Sequence, residues 1–205
     1  MWSSQTGETA VPSRRMPDGA TVESARRRFT GKRADTVLKL SRATLDVLRE
    51  VGYQDLTLQA VAAQAGLARA TAYTYFSSKE HLVADVYWRR LAGAHLGDDK
   101  STTPLNRVIS VLRGLALIVA DEPQLAHAVT VTMNSADPDV ELLRLQIARF
   151  IHKLIAESVG DTADGETVVL LELVYTGAMV RAGVGGMSYR DVADQLEAAA
   201  RRILA

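Results

Sequence analysis

Two side chains able to read a base or hold a phosphate stand four residues apart in the stretch RATAYTYF, at Arg69 and Tyr73. On a helix this spacing puts both on one face, and Ala70 and Thr74 lie on roughly the same side. A guanidinium can fork onto the O6 and N7 atoms of guanine, and alanine and threonine methyls can meet the thymine methyl. The stretch therefore predicts a surface that reads double-stranded DNA, although a plain surface helix with a few polar groups is the alternative.

A candidate phosphate contact follows directly in SSKE at 77–80. The stretch resembles a capping box, with Ser77 as N-cap and Glu80 as the third helical residue. Lys79 and the backbone N–H groups beside Ser77 would then lie at a helix N-terminus, which favours an anion. Phe76, just before this start, is expected to be a core residue.

The residue sets that catalysis or a metal would need are missing from the sequence. It has no cysteine, no GxSxG, no Gly-rich phosphate loop, and scattered rather than paired carboxylates. The histidines lack metal-ligand spacing; they are His81, His95, His127 and His152. No enzyme activity, metal or cofactor is expected, and a hydrolase is the alternative that these absences weigh against.

Charge divides the chain into a basic front and an acidic back. Residues 1–90 carry 14 Lys and Arg against 9 Asp and Glu, and the balance reverses in the rest. This suggests that the front meets a polyanion, although so modest a difference also arises by chance. Residues 1–30 are expected to be a disordered basic arm, which could lie along DNA phosphates or remain a solvated tail.

No signal peptide is expected, because the N-terminus lacks a long apolar h-region. No membrane span is expected, because no apolar run reaches about 18 residues. The absence of cysteine fits a reducing compartment. We therefore expect a cytoplasmic protein with no membrane partner.

Apolar spacing and helix-capping residues predict an all-α protein of about nine helices. Apolar residues recur at three- and four-residue steps over 37–51, and Gly52 then suits a helix stop. Thr57 is a suitable N-cap for a second helix, which Gly66 ends. VTVTM at 129–133 has strand propensity but is assigned to a helix by its context. Later helices are expected to open at Thr102/Thr103-Pro104, after Pro123, and at Asp137-Pro138, where Asp137 is the N-cap. Ser188 is expected to cap the last helix.

The second and third predicted helices are each about two turns long and are joined by AGLA at 65–68. That is the geometry of a helix-turn-helix, whose second helix can enter the major groove. Ala62 is small where the two helices would cross. Val61, Leu67 and Phe76 can form their shared core.

Residues 37–82 resemble the N-terminal domain of the TetR (tetracycline-repressor-like) family of one-component bacterial transcriptional regulators. The resemblance runs without gaps through GYQDLTLQAVAAQAGLARATAYTYFSSKEHL. It implies a three-helix, helix-turn-helix DNA-binding domain over residues 31–78. Residues 79–205 would form a helical effector-binding and dimerisation domain, although they match the family only in helix number and length.

The same resemblance implies which residues touch operator DNA. The cap of the second helix and the positions at the end of the third face phosphates, and the recognition helix faces bases. The implied DNA-binding residues are Thr57, Gln59, Arg69, Ala70, Thr71, Tyr73, Thr74, Tyr75 and Lys79. Two residues depart from the family pattern. Ala68 replaces a Ser or Thr cap worth about 1 kcal/mol, and Ala72 replaces a larger aliphatic residue.

A homodimer is the expected assembly. The stretch VVLLELVYTGAMV at 168–180 is apolar around most of its circumference, so both of its faces should be buried. Gly177 and Ala178 would permit close approach of another helix. Paired with the last helix, this stretch would form a four-helix bundle with a second copy, whereas a monomer with an internal helix is the alternative.

A hydrophobic effector, such as a lipid, an acyl thioester or a steroid-like molecule, is expected to bind among the middle helices. The candidate lining residues are Trp88, Leu91, Leu112, Leu115, His127, Val131, Met133, Phe150, Leu154 and Met179. We therefore expect a ligand-responsive regulator, a repressor that a small molecule releases from a palindromic operator. The alternative is a ligand-independent regulator or activator whose C-terminal domain only dimerises, and an open apolar cavity would count against it.

Overall fold

The computed structural model describes residues 19–96, 103–160 and 165–205, with side chains from residue 31 onward. These residues form nine α-helices and no strand, which confirms the predicted all-α fold. The helices are α1 (Gly19–Asp55), α2 (Leu58–Gln64), α3 (Arg69–Tyr75), α4 (Lys79–Ala92), α5 (Pro104–Leu117), α6 (Pro123–Thr132), α7 (Pro138–Val159), α8 (Gly165–Gly183) and α9 (Tyr189–Ile203).

The chain divides into two units, one that ends at Val37 and one that comprises residues 38–205. Of the predicted basic arm, residues 1–18 lie outside the described residues and 19–30 begin α1. The helix therefore starts before Gly31, where order was expected to begin. The stretch ESARRRF at 23–29 is rich in residues of good helix propensity, and apolar periodicity alone does not reveal such a helix.

The turn between α1 and α2 depends on Gly52. This residue has φ 73° and ψ 179°, a conformation that residues with a Cβ avoid, and it interrupts α1 as the sequence predicts. Tyr53 and Leu56, which follow it, are both buried. The interruption thus sends the chain into the core before α2 begins.

The turn between α2 and α3 has the hydrogen-bond pattern of a Schellman motif. The N–H of Leu67 bonds the carbonyl of Ala62 at 2.8 Å, and the N–H of Gly66 bonds that of Ala63 at 3.0 Å. Gly66 has the positive φ, 67°, that this motif requires. The turn fixes the angle at which α3 leaves α2.

The start of α4 differs by one residue from the prediction. Ser78, not Ser77, is the N-cap, and its hydroxyl accepts from the N–H of His81 at 2.9 Å. Ser77 instead donates to Asp139 at 2.5 Å, and Glu80 accepts from the Tyr53 hydroxyl at 3.0 Å. The predicted capping box was wrong because partners distant in sequence bind these side chains.

The remaining predicted caps are confirmed. Thr103, Asp137 and Ser188 each accept hydrogen bonds from the first turn of the following helix. In the C-terminal bundle α5 packs against α7 and α9, and α8 packs against α7 and α9. The core of this bundle includes Leu112, Leu115, Ile155, Leu171 and Leu196.

Candidate nucleic-acid interface and effector cavity

Helix α3 has one buried face and one exposed face. Ala72 and the following Phe76 are buried, whereas Arg69 and Tyr73 are exposed, Tyr73 to 49% of its surface. Ala72 has no exposed surface, so the small residue lies where the helix meets the core. The exposed face is therefore free to meet a partner.

The two most prominent side chains of that face contact each other. The guanidinium carbon of Arg69 lies 5.3 Å from the centroid of the Tyr73 ring, which is a cation–π contact. The Thr74 hydroxyl bonds the Ala70 carbonyl at 2.9 Å, within the helix. These contacts restrict the side chains before any partner arrives, so less rotamer freedom remains to be lost on binding.

The other predicted DNA-contacting residues besides Lys79 lie at the start of α2 and on α3. Thr57 caps α2, accepting from the N–H of Ala60 at 3.1 Å, and is exposed. Gln59 is exposed, while Thr71 and Tyr75 are half-buried. Together with α3 they present mainly hydroxyl, amide and aromatic groups, the kinds of side chain that bind phosphates and base edges.

Lys79 is less available than the sequence suggested. Its ammonium donates to the carbonyls of Tyr53 and Gln54, both at 3.1 Å, and lies 4.6 Å from the Tyr53 ring centroid. Two of its three N–H donors are thus bound within the chain. Lys79 connects the start of α4 to the end of α1, and at most one donor remains for a phosphate.

A polar junction connects α1 and the N-cap of α4 to α6 and to the N-caps of α6 and α7. The Ser78 hydroxyl donates to Asp137 at 2.6 Å, and the Thr132 hydroxyl donates to that of Tyr53 at 3.4 Å. Arg49 of α1 bonds Glu122 through two nitrogens. Sequence reasoning missed this junction because each pair joins residues more than fifty positions apart.

A cavity of about 600 Å³ opens among the C-terminal helices. Its wall is mostly apolar, with tyrosine hydroxyls and a few charged groups. The lining residues are Tyr87, Val119, Val129, Thr130, Met133, Asn134, Arg144, Ile147, Ala148, Arg149, Ile151, His152, Glu172, Tyr175, Thr176, Met179, Val180 and Tyr189.

Of the ten predicted lining residues, Met133 and Met179 are in this wall. The others lie elsewhere, for reasons that differ. Leu91, Leu112 and Leu115 are core residues with no exposed surface. His127 and Val131 are exposed on α6, Leu154 is half-buried, and Trp88 packs edge-on against Phe150 with ring centroids 5.3 Å apart.

Three of the lining residues are tyrosines. Burial raises the pKa of Tyr87 and of Tyr175, whose hydroxyls bond each other, and that of Tyr175 is well above its usual value. Burial also raises the pKa of Tyr189, which bonds Thr130. All three phenols are therefore neutral at pH 7 and can donate to, or accept from, a polar group of a bound molecule.

The charged lining residues are on α7 and α8. Arg144 donates to the Met133 carbonyl at 2.7 Å, and Nδ1 of His152 bonds Glu172 at 2.7 Å. Arg149 is exposed. Sequence reasoning missed these residues, although Arg144, Ile147 and Ile151 recur at helical spacing on α7.

Within the described parts of the chain, no group of three or more His, Asp or Glu side chains could hold a metal ion. No helix described there has the length and apolar character needed to cross a membrane. The exposed face of α3 and the cavity are two features of the described chain that are available to a binding partner.

Comparison with known proteins identifies a family and several similar chains. Residues 40–86 match the family model described as bacterial regulatory proteins, tetR family. The chain is 44% identical over 163 residues to the uncharacterized HTH-type transcriptional regulator Rv0767c of Mycobacterium tuberculosis, covering 78% of this chain and 76% of that protein. The HTH-type transcriptional repressor KstR of Rhodococcus jostii is 27% identical over 161 residues, covering 76% of each.

Solved structures share the fold at lower identity. A TetR transcriptional regulator from Rhodococcus sp. RHA1 has a TM-score of 0.70 at 22% identity, over 85% of this chain and 98% of that one. Thermus thermophilus FadR, a TetR-family repressor in complex with lauroyl-CoA, has a TM-score of 0.64 at 21% identity, over 82% and 93%. The similar proteins are described as transcriptional regulators and not as enzymes.

Proposed function

Because the chain belongs to the TetR family of bacterial helix-turn-helix transcriptional regulators, we propose that it is a ligand-responsive repressor of this class. It acts as a dimer on a palindromic operator and is released by a hydrophobic small molecule. Residues 31–78 serve as the DNA-binding domain, and residues 79–205 bind the effector and dimerise. Arg69 and Tyr73 contact bases, and the surrounding hydroxyl and amide groups contact phosphates.

One observation carries the ligand-responsive part of this proposal. Met133 lines the cavity, and its neighbour Thr132 bonds Tyr53, which follows Gly52 at the end of α1. A molecule that moves Met133 at the end of α6 therefore also moves Thr132, whose hydroxyl is bonded to Tyr53 of the proposed DNA-binding domain. A ligand shifts such an equilibrium only by its differential affinity for the two arrangements, typically 1–3 kcal/mol.

The exposed face of α8 supports the dimer. Val169, Leu173, Val180 and Val184 follow one another at steps of four, seven and four residues and are 49–75% exposed. Such an apolar stripe suits a partner helix, and a second copy presents the same stripe about a twofold axis. A twofold dimer places two α3 helices on half-sites about 34–36 Å apart, if one turn of DNA separates them.

The cavity favours a ligand-responsive regulator over the ligand-independent alternative. An open, mostly apolar cavity of about 600 Å³ is typical of a small-molecule site, and a domain that only dimerises does not require one. FadR of T. thermophilus binds lauroyl-CoA and FadR of Bacillus subtilis binds stearoyl-CoA. An acyl chain of this kind is a reasonable first effector for the present cavity.

The test starts from purified full-length protein and fragments of the host genome. We expect selection of bound fragments to enrich one palindromic sequence, and lauroyl-CoA or another hydrophobic ligand to release it in a gel shift. Failure to enrich any sequence contradicts the proposed function. An operator complex that is indifferent to every hydrophobic ligand favours the ligand-independent alternative.

A further inference from the structure

Arginines outnumber carboxylates in the cavity wall. Two arginines, Arg144 and Arg149, face one carboxylate, Glu172. That carboxylate is already bound by His152 at 2.7 Å. The wall thus offers more positive charge than its own carboxylate can pair.

Within the described chain, neither arginine has a carboxylate partner, and Arg149 is the one that also lacks a hydrogen bond. Across the described residues, it takes part in no ion pair or hydrogen bond, and its side chain is exposed where α7 borders the cavity. Arg144 differs, because its guanidinium is tied to the carbonyl of Met133. A guanidinium offers five N–H donors in a fork that fits a carboxylate or a phosphate.

The rest of the wall suits an uncharged, largely apolar body. Val119, Val129, Ile147 and Met179 supply apolar surface, and the tyrosines are neutral. A charged group pushed among them would lose its hydration without gaining a counter-ion. The charge of a ligand should therefore stay at the exposed edge, beside Arg149.

We propose that the effector is an amphipathic anion whose apolar body fills the cavity and whose carboxylate or phosphate group binds Arg149. This inference rests on the proposed function, because it takes the cavity to be the effector site. It adds the chemical class of the ligand and the residue that selects it. Both fatty or steroid acids and the phosphates of an acyl thioester of coenzyme A carry the required chemistry.

The test compares anions with neutral alcohols of the same body by calorimetric titration of the full-length protein. The pairs are decanoate with decan-1-ol and 5β-cholanate with 5β-cholan-24-ol, and decanoyl-CoA supplies the phosphate source. We expect at least one anion to bind about tenfold tighter than its matched alcohol, the difference expected for a charge-assisted hydrogen bond. Whether decanoate or decanoyl-CoA binds tighter distinguishes the carboxylate from the phosphate.

Two variants assign the preference to the residue. Arg149→Gln removes an exposed charge without disturbing the core, and we expect it to abolish the preference for the anion while leaving alcohol binding within twofold. Lys153→Gln is the matched control. It makes the same charge change one turn along α7, at a residue that pairs with Glu157 at 3.7 Å and is not in the cavity wall.

Three results overturn the inference: alcohols that bind as tightly as the anions, a preference that survives in Arg149→Gln, or anions that do not bind. The proposed function can fail separately. If the alcohols bind equally well and release operator DNA, the ligand-responsive regulator stands and the anionic class is wrong. If nothing binds and the operator stays occupied, the anionic class is wrong and the ligand-independent regulator is favoured.

Discussion

The hydroxyl of Ser78 donates a 2.6 Å hydrogen bond to the carboxylate of Asp137, although 59 positions separate the two residues. Each is the N-cap of its own helix, α4 or α7. Since α4 follows α3 directly and α7 lines the cavity, this bond joins the start of the helix after the proposed recognition helix to the wall of the proposed effector site.

The same bond makes stability depend on pH. The Ser78 hydrogen bond, followed by those from the backbone of Val140 and Asp139, lowers the pKa of the Asp137 carboxyl. A lowered folded-state pKa stabilises the protein above the unfolded value of about 3.9, and this stabilisation is lost as the pH falls through the folded value. We expect Asp137→Ala to lower the free energy of unfolding by about 1–2 kcal/mol at pH 6.

The difference between wild type and Asp137→Ala should shrink below about pH 4, as chemical denaturation at pH 6 and at pH 3.5 would measure. Glu50→Ala, at an exposed carboxylate on α1, is the control and should show no such change. If wild type and Asp137→Ala differ by the same free energy of unfolding at both pH values, the capping hydrogen bonds stabilise the protein and the charge of the carboxylate does not.

The exposed pair on α3 leads to a prediction about specificity. We expect Arg69→Ala and Tyr73→Ala each to weaken operator binding by about 1–3 kcal/mol, while binding to unrelated DNA changes little. Gel-shift titrations with operator and with a scrambled duplex measure both quantities. Arg190→Ala, at an exposed arginine on α9, should leave both unchanged. Equal losses on both duplexes would assign the pair to phosphates instead of bases.

Lys79 is expected to contribute both to the free energy of unfolding and to DNA affinity. Removing its ammonium leaves the carbonyls of Tyr53 and Gln54 without their donor, so Lys79→Ala should lower the free energy of unfolding by about 1 kcal/mol. If the remaining N–H also meets a phosphate, affinity for all DNA falls and the salt slope decreases by about one. Binding measured between 50 and 200 mM salt tests the second effect. An unchanged slope in a destabilised protein would restrict Lys79 to a structural role.

The apolar stripe of α8 predicts how the dimer can be broken. Leu173 is 64% exposed at the middle of the stripe, and Leu173→Glu would place a charge opposite its own copy across the twofold axis. We expect light scattering to show the mass of one 22.2 kDa chain for this variant and twice that for wild type. Val131→Glu, at a 39% exposed residue on α6, is the control that should remain dimeric. A dimeric Leu173→Glu would exclude this stripe as the interface.

The sequence by itself determined the helices of the DNA-binding domain and the turn between them. Thr57, Gly52 and Gly66 act within a few residues of their own position, through a cap or a backbone conformation. Such local effects repeat wherever the same short pattern occurs. Hence the bounds of α2 and α3, the exposed Arg69–Tyr73 pair and the family resemblance could all be obtained before any coordinates.

Only the tertiary structure decided which side chains meet across the chain. Ser78 replaced Ser77 as N-cap, and Lys79 bonded the end of α1, because partners from α1 and α7 compete with the local ones. The residues of the cavity wall were also decided by the tertiary structure. An apolar residue such as Leu115 can lie in a core or line a cavity equally well. Which of the two it serves depends on how α4 to α8 pack, and helical periodicity carries no information about that.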